Sequence, residues 1–277
     1  MGYIDSKFPQ TLAYCDTEHH MAAALSNPKI SAIITRPDLA DSADEKIGIA
    51  LSNNPRNSFY TLHNLLQKIR EAYGMKVKNP GYGENCSFHP SANISKNTSI
   101  GNHVTIGENV VIKSGAIIDD HCFIDSGAII GAEGLLYYSE GDLPIRVNHV
   151  GGVVIGKHSS ILAGAIIVKS VHESFLTRIG SHSIIGVQTN IGHEAVIGNN
   201  CVFSSNCVVA RRVRIGDNAF IGPSSTIREH VKIGEHAKVR LGSVVVKDIK
   251  EKREVSGNFA FEHQKHLMEF IQKYRGK

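Results

Sequence analysis

The stretch "IGENVVIKSGAIIDDHCFIDSGAII", residues 106–130, places a large aliphatic side chain at every sixth position: Ile106, Ile112, Ile118, Ile124 and Ile130. A period of six matches neither the 3.6 residues of a helical turn nor the two-residue alternation of a long strand. It matches a short strand followed by a tight turn. The stretch therefore predicts a stack of very short strands, each with one large inward side chain.

The same period covers most of the chain. It runs over 82–130 and 155–245 and is broken only at Glu173, while a small or β-branched residue follows each aliphatic one after four positions, as at Val104 and Thr189. Three hexads would close a triangular coil of 18 residues, stacked on the next coil at about 4.8 Å, the spacing of neighbouring strands. We count 25 hexads, which is roughly eight coils.

The register of the repeat accounts for most of the cysteines. Cys86, Cys122, Cys201 and Cys207 all occupy the small inward position, where a free thiol behaves as a compact hydrophobic side chain. Because no CxxC spacing occurs, neither a zinc site nor a redox pair is indicated, and a disulfide framework is not expected. Cys15 lies outside the repeat and receives no role.

Composition narrows the class of function. The chain has 277 residues, of which 42% are hydrophobic, enough for one large domain or two smaller ones. Its net charge of +4 is spread without dense Lys/Arg runs, which favours an anionic small substrate over nucleic acid or a membrane surface. The absence of a signal-like start and of any long apolar run predicts a soluble, cytoplasmic protein without membrane insertion.

The repeat is flanked by segments of different character. Residues 1–80 lack the period and predict a small α/β unit, with strands over 29–35 and 46–52 and a helix over 54–74. No GxGxxG follows a strand there, which disfavours a dinucleotide-binding fold. We place the β-helix over 81–250.

Two further segments leave the repeat. Residues 131–152 depart from it and return in register, and a loop of that length in a solenoid is usually functional. Residues 251–277 predict a turn and an amphipathic helix that caps or packs along the open end of the coils. The apolar residues available to that helix are Phe261, Leu267, Phe270 and Ile271.

Several of the 15 histidines read as turn residues. Five of them sit at the fourth position of a hexad, where polar side chains face water: His103, His121, His158, His182 and His236. For these we expect a structural role only.

His193 is different, because in "TNIGHEAVIGNN" (189–200) it takes the third position, directly after an Ile-Gly pair. His230 follows 37 residues later, two coils plus one residue, and should project from the same side at roughly 10 Å. No two histidines are five residues apart, the spacing of the three-histidine zinc sites of γ-class carbonic anhydrases, so no metal is expected.

Four motifs carry a family resemblance: "HVGGVVIG" (149–156), "QTNIGHEAVIG" (188–198), "IGPSSTIREHVKIG" (221–234) and "VSGNFA" (255–260). In this order and spacing the chain resembles the hexapeptide-repeat acyltransferases, in particular the UDP-3-O-acylglucosamine N-acyltransferases and nucleotide-aminosugar N-acyltransferases. The resemblance implies a mainly β fold, a left-handed parallel β-helix, with a small uridine-binding-like α/β domain at the N-terminus and a C-terminal helix. It also implies a homotrimer with sites at the subunit boundaries.

The resemblance assigns roles to particular residues. His193 would be the general base, and Glu194 an orienting carboxylate, because "GHEA" resembles the His-Glu pair of acetyltransferases that modify amino nucleotide sugars. A solvated turn residue is the alternative for Glu194. Substrate binding would fall to His230, Asn190 and Tyr14. Acyl-donor binding would fall to Arg211, whose backbone N–H would face the thioester oxygen, and to Arg212 and Lys232.

We therefore predict an N-acyltransferase that moves an acyl group, short or 3-hydroxyacyl, from acyl-CoA or an acyl carrier protein to a nucleotide-linked aminosugar for the cell envelope. No bound cofactor is expected beyond the thioester co-substrate. The lipid A enzyme itself is one alternative, although Ser170 to His172 ("SVH") replaces its usual Asp-Arg-Gly and His20 stands where an aromatic residue would. A non-catalytic solenoid that binds sugars or partners is the other.

Overall fold

The computed structural model of the chain describes residues 1–42, 46–69, 73–257 and 262–275. Short strands form three parallel sheets of eight, nine and eight strands, which are the three faces of a left-handed parallel β-helix. The fold class predicted from the six-residue period is confirmed.

Each face is built from strands one coil apart. The first face contains Gly81–Tyr82, Ser99–Ile100, Ala116–Ile118, Val153–Ile155, Thr177–Ile179, Val196–Ile197, Arg214–Ile215 and Lys232–Ile233. The second contains Ser87–Phe88, Thr105–Ile106, Phe123–Ile124, Ser160–Ile161, Ile184–Ile185, Val202–Phe203, Phe220–Ile221, Lys238–Val239 and Glu254–Val255. The third contains Asn93–Ile94, Val111–Ile112, Ile129–Ala132, Ile166–Val168, Asn190–Ile191, Val208–Val209, Thr226–Ile227 and Val244–Val245.

The interior of the coils follows the predicted register. The aliphatic residue of each hexad is buried, as at Ile106 and Ile191, and the small position is buried too, as at Thr189 and Cys207. Stacked coils are joined by backbone hydrogen bonds such as Gly192 N–H to the Val209 carbonyl at 2.7 Å. Because each coil shares its core with its neighbours, the stack forms one continuous hydrophobic core.

One part of the predicted register is wrong. The six-residue pattern predicts that the hexad around Glu173 belongs to an 18-residue coil. In the structure Val153 pairs with Thr177, which makes this coil six residues longer than 18. Residues 169–176, here called the second excursion, leave the coil as a loop. Glu173 stands where the hexad needs an aliphatic side chain, and burying a carboxylate in that core would be unfavourable. The three faces still contain 25 strands, which equals the predicted number of hexads, because Glu254–Val255 adds a strand at the end of the stack.

The first excursion, residues 131–152, contains an antiparallel hairpin, Tyr137–Glu140 with Leu143–Arg146. The hairpin lies against the N-terminal unit, where Arg56 Nη2 donates to the Tyr137 carbonyl at 3.1 Å. Asn64 Nδ2 donates to the Arg146 carbonyl at 2.9 Å. The excursion therefore links the coils to the N-terminal unit.

The N-terminal unit is a three-stranded parallel sheet, β1 (Thr11–Cys15), β2 (Ile30–Thr35) and β3 (Gly48–Leu51), with helices α1 (Glu18–Leu25) and α2 (Pro55–Ile69). A short 3-10 helix spans Pro37–Ser42. The two predicted strands and the predicted helix are present, whereas β1 and α1 were not predicted. The predicted helix end at Gly74 lies beyond residues 70–72, which are outside the described part.

Aromatic and aliphatic side chains join the N-terminal unit to both excursions in one cluster. Its buried members are Ile34, Phe59, Tyr60, Leu136, Tyr138, Val147 and Val171. Three segments that are distant in sequence are thus packed together against the coils that carry His193.

Helix α3 (His263–Arg275) was predicted to cap or pack along the coils. Leu267 and Ile271 are 44% and 42% exposed, so these two side chains are partly covered, and the predicted packing of the helix stays a prediction. Phe261 and the side chain of Phe270 lie outside the described residues.

Turn residues with left-handed backbone form columns along the edges of the coils. Four histidines predicted as turn residues, His103, His121, His158 and His182, stack with ring centroids 4.7, 4.7 and 4.8 Å apart, and all are exposed. His236 also has a positive φ, 56°, and is exposed. Their predicted position in the hexad is confirmed.

Candidate active site

His193 lies at the turn after the strand Asn190–Ile191 and is 5% exposed. Both ring nitrogens are buried, and neither forms a hydrogen bond within the described part of the chain. The ring of His149 stands edge-on to it, with centroids 5.1 Å apart. Gly134 covers it from the first excursion, since a Cβ there would lie 3.3 Å from His193 Cδ2. A buried imidazole with two unpaired nitrogens is unfavourable unless a ligand pairs with it, which marks His193 as a functional residue.

Glu194 is the immediate neighbour of His193 and is 1% exposed, which rules out the solvated turn residue. Its Oε2 lies 3.7 Å from His193 Nδ1 and accepts a hydrogen bond from Arg212 Nε at 2.9 Å. Its Oε1 accepts from the Tyr3 hydroxyl at 2.9 Å and from the Val171 N–H at 3.3 Å. The Glu194 carboxylate thus accepts hydrogen bonds from the N-terminal segment, the second excursion and the next coil.

The charge state of Glu194 follows from these partners. Burial alone would raise the pKa of its carboxyl, but the contacts with His193 and the charge of Arg212 outweigh burial and lower the pKa to about 2. The carboxylate is therefore ionised at neutral pH and can support a positive charge on His193. An imidazole beside an ionised carboxylate is the arrangement of a general base that is oriented by a carboxylate.

Two further buried histidines surround this pair. Burial, followed by the neighbouring His193, lowers the pKa of His149 to about 3. Burial and the nearby His63 also lower the pKa of His172, whose two ring nitrogens form no hydrogen bond within the described residues. A lowered pKa makes both imidazoles weak bases, so His193, beside the carboxylate, is the candidate base.

A cleft of about 500 Å³ opens beside this pair, between the coils and the N-terminal unit. Aromatic and cationic side chains form most of its wall. The lining residues are Tyr3, Ile4, Asp5, Tyr14, His20, Arg56, Tyr60, Leu136, His193, Glu194, Arg211, Arg212 and His230. Burial, followed by Arg212 and Arg211, lowers the pKa of His230, so that ring is neutral at pH 7.

A second depression, here called the apolar groove, meets the cleft at His193. It has a volume of about 400 Å³ and follows the third face of the coils under the first excursion. Its lining residues are Ile129, Ala132, Glu133, Gly134, Leu135, Ile166, Val168, Asn190, Gly192, His193, Val208, Val209 and Ala210. His193 thus faces a polar, cationic space and an apolar one.

Several predicted site residues are brought together. Tyr14 packs against Phe59 with ring centroids 5.2 Å apart and lines the cleft, as do Arg211 and His230. Asn190 lines the apolar groove. A Cβ on Gly192 would lie 2.8 Å from the Arg211 backbone nitrogen, so glycine is needed there for that N–H to approach the His193 corner. The roles of these residues stay predictions.

Arg212 and Lys232, both predicted to bind the acyl donor, lie in different surroundings. The Arg212 guanidinium is half-buried and engaged by Glu194 and, at 3.7 Å, by Asp5. Lys232 lies away from the cleft, in a surface depression with Arg214, Asp248 and Lys250. The donor-binding roles of both residues stay predictions.

Sequence reasoning missed Tyr3, His149 and His172 as site residues. Tyr3 is 191 residues from Glu194 and carries no motif, so nothing in the sequence signals its contact. His149 and His172 do lie in stretches quoted above, "HVGG" and "SVH", and both belong to the excursions. A histidine in a loop that leaves a regular repeat is the sequence feature that could have identified these two residues.

Two absences hold for the residues that the structure describes. In those ranges no cluster of three or more His, Cys, Asp or Glu side chains is arranged to hold a metal ion. None of the helices there is long and apolar enough to span a bilayer.

The coils match the bacterial transferase hexapeptide family, in its six-repeat form, over residues 97–132, 176–211 and 212–247. The resemblance to the hexapeptide-repeat transferases inferred from the motifs is therefore confirmed, and its N-acyltransferase part stays a prediction. No curated protein matches the sequence.

Among solved structures, the chain is similar to a UDP-N-acetylglucosamine acyltransferase from Campylobacter jejuni. The two are 28% identical, with a TM-score of 0.57, covering 70% of this chain and 80% of that one. An Arabidopsis UDP-N-acetylglucosamine acyltransferase is 21% identical with a TM-score of 0.49, covering 72% and 76% of the two chains. The chain is thus a hexapeptide-repeat protein with acyltransferases among its structural neighbours.

Proposed function

We propose that the protein transfers an acyl group from an acyl-CoA or acyl carrier protein thioester to the amino group of a nucleotide-linked aminosugar, with His193 as general base. The observation that carries this proposal is the position of His193. It lies beside the buried Glu194 carboxylate, where the cationic cleft and the apolar groove meet. The Campylobacter jejuni neighbour supports the reaction class and the nucleotide-sugar acceptor.

The two spaces suit the two substrates. In the cleft, the Arg56 and Arg211 guanidinium groups and the His230 ring offer donors for a diphosphate, and Tyr14 and Tyr60 offer aromatic faces for a base. In the apolar groove, Leu135, Ile166 and Val208 suit an acyl chain or the thioester arm. The acceptor amine and the thioester carbonyl would then meet at His193.

The chemical step follows from this placement. The neutral amine attacks the thioester carbonyl carbon, and His193 accepts the proton that the amine loses as the C–N bond forms. The tetrahedral oxyanion is stabilised by a backbone N–H, for which Arg211 is the candidate. The C–S bond then breaks, and the protonated His193 returns the proton to the departing sulfur. An amide and a free thiol are the products.

Glu194 supports the charged intermediate of His193. Its ionised carboxylate stabilises the imidazolium that exists between the two proton transfers and fixes the ring orientation. General acid–base catalysis of this kind contributes roughly 10² to 10⁴-fold in rate.

A second candidate, transfer to a hydroxyl group, is favoured by one observation. The named substrate of the Campylobacter jejuni neighbour, UDP-N-acetylglucosamine, already carries an acylated nitrogen, so any further acyl group on that sugar goes to oxygen. The same base could deprotonate a hydroxyl group. The lipid A N-acyltransferase remains a narrower form of the first candidate.

One panel separates these candidates. Thiol release is measured with acetyl-CoA, a 3-hydroxyacyl-CoA and a 3-hydroxyacyl carrier protein, each against UDP-glucosamine, UDP-N-acetylglucosamine and UDP-3-O-acylglucosamine. The proposal predicts turnover with an amine acceptor and a product that resists hydroxylamine, because amides do and esters do not. With the first two acceptors, which carry no ester beforehand, a hydroxylamine-labile product indicates O-acylation. Dependence on both the carrier protein and the 3-O-acylated acceptor indicates the lipid A enzyme, and no turnover supports a non-catalytic solenoid.

A further inference from the structure

The partners of Glu194 include a residue from the start of the chain. The Tyr3 hydroxyl donates to Glu194 Oε1 at 2.9 Å, while Arg212 Nε donates to Oε2 at the same distance. The two donors are themselves in contact, since the Arg212 guanidinium lies 4.0 Å from the centroid of the Tyr3 ring. Both carboxylate oxygens are thereby held, and Oε2 stays beside His193 Nδ1.

The Tyr3 ring is fixed by packing as well as by this hydrogen bond. The His172 ring meets it edge-on with centroids 4.8 Å apart, and the Phe175 ring lies at 5.7 Å. Burial and the nearby Glu194 raise the pKa of the Tyr3 hydroxyl, so it remains a protonated donor across the working pH range. It cannot act as a base, and its contact is with Glu194 rather than with the reacting atoms.

The segment that carries Tyr3 belongs to the N-terminal unit. The Gly2 N–H donates to the Leu12 carbonyl at 3.0 Å, which ties the segment to β1. Asn27 Nδ2 donates to the carbonyls of Ile4 and Ser6 at 2.9 and 3.0 Å, which ties it to the end of α1. The unit that forms one wall of the cleft therefore also places a donor on the catalytic pair.

We infer that Tyr3 is a positioning residue of the acyl transfer, which together with Arg212 locks the Glu194 carboxylate in the orientation that serves His193. This inference rests on the proposed function. It adds that the N-terminal unit contributes to the chemical step itself, through Glu194, and not only to acceptor binding.

The test is Tyr3→Phe, which removes one oxygen and keeps the ring in its packed site. We expect kcat to fall about tenfold, because Oε1 is then left with the longer bond from the Val171 N–H, at 3.3 Å, and the carboxylate spends less time in the productive orientation. The KM values of donor and acceptor should stay within about twofold, since Tyr3 acts on the transition state through Glu194. Tyr73→Phe is the matched control, because that hydroxyl is also hydrogen-bonded, 2.7 Å from His63 Nδ1, but does not touch Glu194.

A double-mutant cycle with Glu194→Gln separates positioning from mere stability. If Tyr3 acts through the carboxylate, Tyr3→Phe should change kcat less than about twofold in the Glu194→Gln background. Glu194→Asp supplies the second arm of the cycle if Glu194→Gln does not fold. Additive losses in kcat, or an unchanged kcat in Tyr3→Phe with only a lowered melting temperature, would overturn the positioning role while leaving the proposed function intact. Absence of turnover by the wild-type protein would instead overturn the proposed function and this inference with it.

Discussion

Glu194 Oε2 lies 3.7 Å from His193 Nδ1, and neither side chain is open to solvent. The two residues are adjacent in sequence, yet their side chains meet because Glu194 has left-handed backbone, with φ of 63°. Arg212 and His230, one and two coils further on, have the same conformation, with φ of 57° and 64°. A non-glycine residue with positive φ is strained, and the contacts of Glu194 on both oxygens offset that strain.

This pairing gives the first prediction. Glu194→Gln keeps the size of the side chain and removes its charge, so the imidazolium of His193 loses its support. We expect kcat to fall by 10- to 100-fold with little change in either KM. Glu235→Gln is a matched control, because Glu235 is also in a turn of the coils but is exposed and outside the cleft. Equal activity of the two variants would contradict the role of Glu194.

The register of the coils makes a prediction about folding. Ile191→Asp, or equally Ile215→Asp, places a carboxylate inside a prism lined by stacked aliphatic side chains. The cost of several kcal/mol is comparable to the whole stability of a domain, so the variant should be insoluble or unfolded. Val244→Asp is the control, since Val244 is in a coil strand but 63% exposed. A folded Ile191→Asp protein, judged by circular dichroism, would mean that the register is wrong.

Stability should depend on pH in a defined window. His63, His149 and His172 all have a pKa lowered from 6.5 by burial, that of His149 to about 3. Below pH 6.5 these histidines become protonated in the unfolded chain but stay neutral in the folded chain. The free energy of unfolding is therefore highest above that pH and falls as the pH decreases. For His149 alone the loss between pH 6.5 and 5 is about 2 kcal/mol.

The measurement is the melting temperature at pH 7, 6 and 5. We expect a decrease at each step, and a smaller total decrease in His149→Gln, which no longer has that imidazole to protonate. The Glu194 carboxyl, with its pKa of about 2, changes the stability only below about pH 4.5. It therefore does not contribute to the change between pH 7 and 5. A melting temperature that stays constant from pH 7 to 5 would show that these histidines are not buried and neutral.

Acceptor recognition is tested at Tyr14. If a base stacks on this ring, Tyr14→Ala loses on the order of 1 to 3 kcal/mol of binding, and the KM of the nucleotide sugar rises about tenfold or more. The donor KM should not change, because the ring is on the wall of the cleft and not in the apolar groove. A rise in both KM values, or in neither, would contradict a base-binding role for Tyr14.

The fold could be predicted from the sequence because the repeat period is short and every coil buries the same kinds of side chain at the same positions. Ile191 and Cys207 could be placed in the core from spacing alone, and so could the turn position of His182. His193 stood out because it departs from that spacing.

The contacts that complete the site were not predictable in the same way. Tyr3 reaches Glu194, and Gly134 covers His193, only after the N-terminal unit and two loops have packed onto the coils. The Glu173 hexad was misplaced because an insertion of one period leaves the six-residue pattern intact on both sides. Periodicity is therefore blind to a loop whose length equals the period.

His193 is the residue on which the proposed chemistry depends most, and thiol release by His193→Ala tests its role most directly. The comparison is His182→Ala, which changes the same residue type at an exposed turn outside the cleft. We predict that His193→Ala loses at least about 10²-fold in kcat with a nearly unchanged melting temperature, while His182→Ala retains wild-type turnover. Near wild-type turnover in a folded His193→Ala protein would contradict the assignment of His193 as the base.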